Sequence, residues 1–473
     1  MTDTPPSGSH IHLIAICGVG MASLAGLLQS KGYRITGSDQ NIYPPMSTYL
    51  QEIGIDILAG FSPEHLSDRP DLVIIGNAVS RNNAEAEAVV NQGIPYISFP
   101  QGLGKFLIGS RQSLVITGTH GKTTTTALAA WVLARAGLDP GFFVGGVPIN
   151  FGSGWDPGKG DYVVIEGDEY DSAFFDKGPK FLHYRPQHVI LTSVEFDHAD
   201  IYRDLDHLKD AFRRLMELIP TEGKLVVCRD YPAAMEVAAR ACSQVITYGD
   251  DGSSDWTARN VRFSAGKGFF DAFYRGNSDA TVEVGLIGRH NVNNALAAYA
   301  LAKELGIDRK RMLEGFATFS GIKRRQEIKG ERRGVLLIDD FAHHPTAVRE
   351  TIDAVRAAYP GRRLWAIFEP RSNTSRRNIF EQEFSDALAR ADRVVMAGLY
   401  QAEKVPEKDR MSVERVIDAI NRLCGDSRAV MIESAQEIAS YVAKGAVSGD
   451  IMLVMSNGGF DGVHEKILQA LAG

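Results

Sequence analysis

Ser113-Leu-Val-Ile-Thr-Gly-Thr-His-Gly-Lys-Thr-Thr124 runs an apolar segment into a glycine turn, and the helix-forming Thr125-Thr-Ala-Leu-Ala-Ala-Trp131 continues it. Strand, glycine turn and helix is the geometry that aims backbone N–H groups and a helix N-terminus at a phosphate. In that geometry Lys122 reaches the terminal phosphates of a nucleotide and the Thr123 hydroxyl holds Mg²⁺. Ile116 stands where the full phosphate-loop pattern has its first glycine, so this shortened motif taken alone leaves an ordinary glycine turn open.

Outward from the loop, 473 residues suffice for roughly three domains. Hydrophobic content of 44% and charged content of 23% are those of an ordinary soluble globular chain. A net charge of −7 argues against a general nucleic-acid binder. Cys17, Cys228, Cys242 and Cys424 form no CxxC pair, which excludes a zinc frame and fits a reducing compartment. The polar start has no basic n-region, and no apolar run reaches bilayer-spanning length. A cytoplasmic protein without membrane insertion is expected.

Periodicity divides the chain into three βα-rich blocks, with domains expected at 1–112, 113–321 and 322–473. The first starts with the strand Ile11–Cys17, a glycine turn and a helix from about Met21 to Ser30, with further strands at Tyr33–Gly37 and Leu72–Gly76. The second holds the phosphate loop, strands at Tyr162–Ile165 and His188–Val194, and a βα unit from Lys224 to Tyr248. From Trp256 to Leu286 the residues alternate between Gly and Asn turns, so added antiparallel strands are expected there, followed by a helix from about Asn291 to Lys303. In the third block the strands are Val335–Ile338, Leu364–Phe368, Arg393–Ala397 and Ile451–Met455. Alternating strands and helices define an α/β chain of open parallel sheets, which bind ligands at the carboxyl ends of their strands.

The polar motifs fall at such ends. Gly18-Val-Gly-Met-Ala-Ser-Leu-Ala-Gly26 supplies the turn that a pyrophosphate approaches, and Asp39 sits where a ribose acceptor belongs; close helix–strand packing is the alternative. Glu166-Gly-Asp-Glu-Tyr-Asp171 brings hard oxygen ligands to the phosphates and Mg²⁺. His198, in Glu195-Phe-Asp-His-Ala-Asp200, either ligates a second metal or bonds a substrate oxygen. In Gly288-Arg-His-Asn-Val-Asn-Asn294, His290, Asn291 and Asn294 can read an adenine edge, although Asn291 or Asn294 can equally cap the helix. Asp339-Asp-Phe-Ala-His-His-Pro345, Glu369-Pro-Arg-Ser-Asn-Thr374 and Ser456-Asn-Gly-Gly-Phe460 are polar loops of one sheet suited to a charged substrate, with Arg371 a candidate bidentate carboxylate clamp.

In this order, GVGMASLAG, GTHGKTT, EGDEYD, EFDHAD, GRHNVNN and DDFAHHPT, the motifs resemble the Mur ligase family, the ATP-dependent amide-forming ligases of bacterial cell-wall synthesis. The resemblance implies a Rossmann-like N-terminal domain, a central P-loop ATPase-type domain with extra antiparallel strands, and a C-terminal Rossmann-like α/β domain. The first motif and the following Gly37-Ser-Asp39 are similar to the branch that takes UDP-N-acetylmuramate as acyl donor. Within that branch one enzyme adds L-alanine and another the recovered tripeptide L-Ala-γ-D-Glu-meso-diaminopimelate; YPPMS, EPRSNT and SNGGFDGVH are similar to the second.

By the same resemblance Gly18, Gly20, Met21, Asp39 and Asn77 bind the UDP-sugar, and Gly118, Thr119, His120, Gly121, Lys122, Thr123, Thr124, His290, Asn291, Asn294, Asp340 and His344 bind ATP. Arg371, Asn373 and Asn457 hold the peptide, and Thr123, Glu166 and His198 hold Mg²⁺. Catalysis falls to Lys122, Glu166, His198 and Arg325, the last from Lys323-Arg-Arg325. Later-acting members of the family carry a carbamylated lysine about fifteen residues after the motif histidine; Asp210-Ala-Phe-Arg-Arg214 offers none. The alternatives are the L-alanine ligase of new synthesis and a catalytically silent nucleotide-binding relative.

Overall fold

The protein is described by a computed structural model that covers residues 4–264 and 266–472. It forms two compact units. One comprises the chain up to Glu195 with Leu205–Thr257 and Ala297–Gly315; the other comprises Phe196–Asp204, Ala258–Leu296 and the chain from Phe316.

The first unit contains two larger sheets and a short antiparallel pair, Asp171–Ala173 with Asp176–Pro179. One has five parallel strands in the order Ile57–Ala59, Arg34–Asp39, His10–Ile14, Leu72–Ile75, Tyr96–Ser98. The order reverses at His10–Ile14, and the crevice beyond such a reversal is where open sheets bind ligands. The helix Val19–Ser30 follows at once, capped by Gly18. Gly26 belongs to the packing of this helix: a Cβ there would lie 2.1 Å from the Tyr49 hydroxyl, which accepts a hydrogen bond from Trp155 Nε1.

Within this unit the second sheet, ten-stranded in all, runs Gln244–Tyr248, Lys224–Cys228, Pro186–Leu191, Gln112–Thr117, Tyr162–Gly167, Gly141–Phe143, Trp155–Asp156, these strands all parallel except the last pair. Leu114–Ile116, Val163–Ile165 and Val189–Leu191 are fully buried, as in parallel strands covered on both faces. The strand expected to reach Val194 ends at Leu191, because Thr192 and Ser193 turn their hydrogen bonds to the glycine loop instead.

In the second unit a six-stranded sheet runs Glu327–Arg332, Val335–Asp340, Ile451–Met455, Leu364–Phe368, Arg393–Met396, Ala429–Met431, parallel after an initial antiparallel hairpin. Arg333 and Gly334 close that hairpin with φ of 53° and 73°, the pair of positive values a two-residue turn between twisted strands favours. The expected antiparallel strands are present, with Lys267–Tyr274 paired to Asn277–Val284. Leu336, Ile338, Val348, Ile352, Phe368 and Phe384 lie in the core on one face of the sheet, and Trp365, Ile438, Val454 and Ile467 in the core on the other. Among the described residues no helix is long and apolar enough to cross a membrane.

One buried group sets an acid limit on the phosphate-loop sheet. Burial, helped by the Lys224 ammonium, pushes His188 from 6.5 down to about 4, and its Nδ1 has no hydrogen-bond partner. The folded state keeps this imidazole neutral, so the stability present above pH 6.5 is lost as pH falls through 6.5 toward 4. His188→Gln should flatten this limb, losing up to about 3 kcal/mol less than the parent between pH 7 and 4 at roughly 1.4 kcal/mol per unit. Urea unfolding of both proteins across that range measures the difference.

Candidate active site

The glycine loop is held from one side by the chain leaving Pro186–Leu191. Ser193 O accepts from Thr119 N at 3.1 Å, and Ser193 Oγ from His120 N at 2.9 Å. Thr119 Oγ1 donates to Glu195 O and accepts from Glu195 N, and His120 Nε2 lies 2.6 Å from Glu195 Oε2. Gly118 has φ 126°, and a Cβ there would sit 2.3 Å from Thr192 Oγ1, so the residue is glycine for conformation and for space. Helix Lys122–Arg135 then starts after Gly121, itself at φ 77°, with no side chain capping it and with Thr123 and Thr124 in its first turn. An uncapped helix N-terminus behind a glycine turn is a cradle for phosphate.

Three carboxylates of the acidic loop have separate partners. Glu166 Oε1 accepts from Thr123 Oγ1 at 3.0 Å, and its Oε2 from Gly145 N at 2.8 Å. Asp168 pairs with Lys180 at 2.5 Å. Glu169, 1% exposed, places both oxygens 3.0–3.1 Å from Lys122 Nζ. Burial pulls the Lys122 pKa down, but Glu169, Asp168 and Glu166 outweigh it and raise the value above normal, so the lysine is charged. The only lysine of helix Leu205–Glu217, Lys209, is bound to Glu236 at 2.7 Å and Asp206 at 3.0 Å.

A cavity of about 620 Å³ lies at the reversal of the five-stranded sheet, lined by Gly18, Met21, Asp39 and Asn77 together with Cys17 and Asn83. Asp39 is nearly buried and accepts from Cys17 N at 2.9 Å and Asn41 N at 2.8 Å, which fixes the loops on either side of the mouth. Burial, with the Asp39 charge behind it, pushes the Cys17 thiol up to about 11. Gly20 lies off this lining; its bare Cα makes room for the Phe99 ring, 3.0 Å from where a Cβ would stand.

In the second unit, Asn294 Nδ2 donates to Asn291 Oδ1 at 3.2 Å, and Asn291 Nδ2 to Ile287 O at 2.9 Å and Gln326 Oε1 at 3.3 Å. Gln326 N in turn donates to Asp340 Oδ2 at 2.9 Å, and Ala342 N to Asp340 Oδ1 at 2.8 Å. Burial raises the Asp340 pKa, opposed first by the Arg325 charge. The structure thus joins Asn291, Asn294 and Asp340 through Gln326, a residue the motifs did not mark. Arg325 lies over the Phe341 ring at 4.7 Å, and His344 Nδ1 caps helix Pro345–Ala358 by accepting from Thr346 N. His290 occupies the first turn of helix Arg289–Glu304.

His198 has φ 55°, and its N–H donates to Asp197 Oδ1 at 2.7 Å, which also accepts from Thr374 Oγ1 at 2.6 Å. Burial alone would raise the Asp197 pKa; His198, His344, His343 and the Thr374 hydroxyl together hold it well below the usual carboxylate range. The Glu369–Thr374 loop is therefore tied to the histidine segment, and Asn373 adds a bond to Asp200 at 2.9 Å. Asn373 also accepts from Arg376 at 2.7 Å.

The Arg371 guanidinium carbon lies over Tyr400, 3.6 Å from the ring centroid, and Arg371 Nη1 is 3.5 Å from Glu369. Its other side rests on Gly458, where a Cβ would fall 2.1 Å from Nε. Arg324 donates to Ser456 O at 2.7 Å and Gly458 O at 2.6 Å, and Ser456 Oγ donates to Glu369. Asn457 Oδ1 is buried without a partner. Two loops far apart in the sequence are in this way one cationic surface, joined by Arg324 of the Lys323–Arg325 cluster and by Tyr400, for which the motifs gave no signal.

Known proteins share the sequence and the fold that carry these loops. Profiles described as "Mur ligase family, catalytic domain", "Mur ligase middle domain" and "Mur ligase, glutamate ligase domain" match residues 10–111, 116–302 and 324–458. The UDP-N-acetylmuramate–L-alanyl-gamma-D-glutamyl-meso-2,6-diaminoheptandioate ligase of Escherichia coli is 40% identical over 98% of both chains. A UDP-N-acetylmuramate–L-alanine ligase of Desulforapulum autotrophicum is 32% identical over 98% of this chain and 99% of its own. Among solved structures, a murein peptide ligase from Psychrobacter arcticus is 37% identical over 98% of this chain and 99% of its own, with TM-score 0.73. A UDP-N-acetylmuramate–alanine ligase from Thermotoga maritima is 25% identical over 98% of both chains, with TM-score 0.80. The chain belongs to the Mur ligase family. The two measures rank the subfamilies differently, and identity is the better guide to specificity, because backbone superposition does not see the side chains that choose a substrate.

Gly118→Ala should weaken ADP binding more than about tenfold, since it must shift Thr192 and Ser193, which support the loop. Titration calorimetry reads the loss, and an unchanged far-ultraviolet spectrum separates it from unfolding.

Proposed function

We propose that this protein joins L-Ala-γ-D-Glu-meso-diaminopimelate to UDP-N-acetylmuramate at the expense of ATP, releasing ADP and phosphate, in the reuse of cell-wall peptide in the cytoplasm. The observation that carries the reading is the full-length likeness: 40% and 39% identity to two ligases named for this tripeptide, against 32–36% for those named for L-alanine. The Arg371 surface supports it independently. A tripeptide rich in carboxylates needs a fixed guanidinium, whereas L-alanine brings one carboxylate.

On this reading residues 1–112 bind the UDP-sugar through Gly18, Met21, Asp39 and Asn77, residues 113–321 bind ATP, and residues 322–473 bind the peptide. A carboxylate is a poor acyl donor because oxide would have to leave. Phosphorylation of the lactyl carboxylate provides a better leaving group, and transferring that phosphoryl group demands charge neutralisation and alignment. Lys122 and Arg325 supply the positive charge. Thr123 Oγ1 and Glu166 Oε1, hard oxygens 3.0 Å apart, fit Mg²⁺ and would hold it, the ion neutralising phosphate charge. Gln326 and Asp340 orient Asn291 toward the base. The tripeptide amine then attacks the acyl phosphate, phosphate leaves, and His198 or a carboxylate of the acidic loop takes the amine proton.

The deciding assay is phosphate release with ATP, Mg²⁺ and UDP-N-acetylmuramate, comparing the tripeptide with L-alanine. Turnover with the tripeptide and little with L-alanine is expected; the reverse selects the L-alanine ligase, and silence with both selects a non-catalytic relative. Arg371→Ala should raise KM for the tripeptide about 10- to 100-fold, the worth of one or two charge-assisted hydrogen bonds, with KM for ATP unchanged. Gly458→Ala should act the same way, since the new methyl displaces the Arg371 side chain. Equal rises for both substrates would take Arg371 out of the peptide site.

A further inference from the structure

Lys122 does not wait in an open loop. Its ammonium has three donors, and the protein occupies all of them: Gly118 O at 2.6 Å, Thr119 O at 3.3 Å, and the Glu169 carboxylate at 3.0 and 3.1 Å. Glu169 is the only charged member of that set. It is brought there by strand Tyr162–Gly167, whose end lies in register beside Gln112–Thr117, the strand that feeds the glycine loop. Its neighbours are committed elsewhere, Asp168 to Lys180 and Glu166 to Thr123 and Gly145. Glu169 is 1% exposed and Lys122 14%, so the pair is shielded from water, and either charge left without a partner would be costly.

We propose that Glu169 is a positioning residue that stands in for the phosphate: it holds the Lys122 ammonium whenever no nucleotide is bound, and a nucleotide engages Lys122 only by exchanging its own phosphate oxygens for the Glu169 carboxylate. The inference rests on reading Gly118–Thr124 as the nucleotide loop. It follows from donor count and charge. A phosphate seated in the loop needs a charged N–H from Lys122, and the anionic partner it must replace is Glu169. Exchange removes one buried ion pair as it makes another, which lowers affinity for the nucleotide and keeps the loop ordered when no nucleotide is bound. The step is selective. Lys122 meets the outer phosphates, so ADP and ATP must open the pair, whereas the single phosphate of AMP leaves it closed.

The test is calorimetric binding of ATP, ADP and AMP, with Mg²⁺, to the full chain and to Glu169→Gln, Glu169→Ala, Lys122→Met and the Glu169→Gln/Lys122→Met double variant. Glu169→Gln keeps the shape and removes the competing charge, so ADP and ATP should bind about five- to tenfold more tightly while AMP is unchanged. Glu169→Ala should change affinity in the same direction. In the Lys122→Met background the gain should vanish, because there is no ammonium left to compete for. A merely structural Glu169 would shift all three nucleotides together, or would persist without Lys122, and either result overturns the proposal, as does unchanged or weaker ADP binding in Glu169→Gln. If Lys122→Met alone leaves ADP affinity untouched, the nucleotide-loop reading itself fails, a different outcome from Lys122→Met weakening ADP while Glu169→Gln does nothing.

Discussion

Thr117 is the point on which the phosphate-loop unit depends. It ends a buried strand with Gly167 beside it on one side and Leu191 on the other, in parallel register. Its hydroxyl donates to Gly167 O at 2.7 Å, and its carbonyl accepts from Thr192 Oγ1 at 3.0 Å. Three strand ends are thereby fixed at one level. The glycine loop leaves from the middle one, the acidic loop from the second, and the supporting Thr192–Glu195 segment from the third. A slip of one residue in either pairing would turn Glu166 or Thr192 to the opposite face, because side chains alternate along a strand.

Charge is distributed over that frame so that every carboxylate near the loop has its own cation or donor. Thr123, Lys180 and Lys122 each take one acid. The second unit solves a related problem mostly with amides. Asn291, Asn294, Gln326 and Asp340 form a buried chain of hydrogen bonds, which confers rigidity when its members are satisfied. Gln326 Nε2 has no partner there, leaving an amide donor for use.

The parallel strands were legible because their apolar runs are continuous, and the motifs were legible because glycine turns and acids sit where those runs stop. The hairpin strand Glu327–Arg332 was not, since an edge strand of Glu, Lys and Arg shows no alternation to read; charge on an edge is how sheets avoid pairing with other chains. Strand Pro186–Leu191 ended early because Thr192 and Ser193 serve the loop, a tertiary demand invisible in local pattern. Gly26 looked like part of a dinucleotide fingerprint and proves to be a seat for Tyr49. Sequence also marked Glu166 and Glu169 alike; only the strand register separates the partner of Thr123 from the partner of Lys122. Gln326 and Tyr400 had no signal at all, as their roles come from contacts between segments far apart in the chain.

The seat of Arg371 on Gly458 carries a consequence for how such a site can change over evolutionary time. A side chain at position 458 and the present seat of Arg371 exclude each other, because the two would occupy the same space. Filling the turn would therefore unseat the guanidinium without deleting it, so one small substitution far from position 371 in the sequence can disable the clamp. Reverting the turn to glycine would restore the seat with the arginine still encoded, which gives this surface a switch between clamped and unclamped forms at a single position.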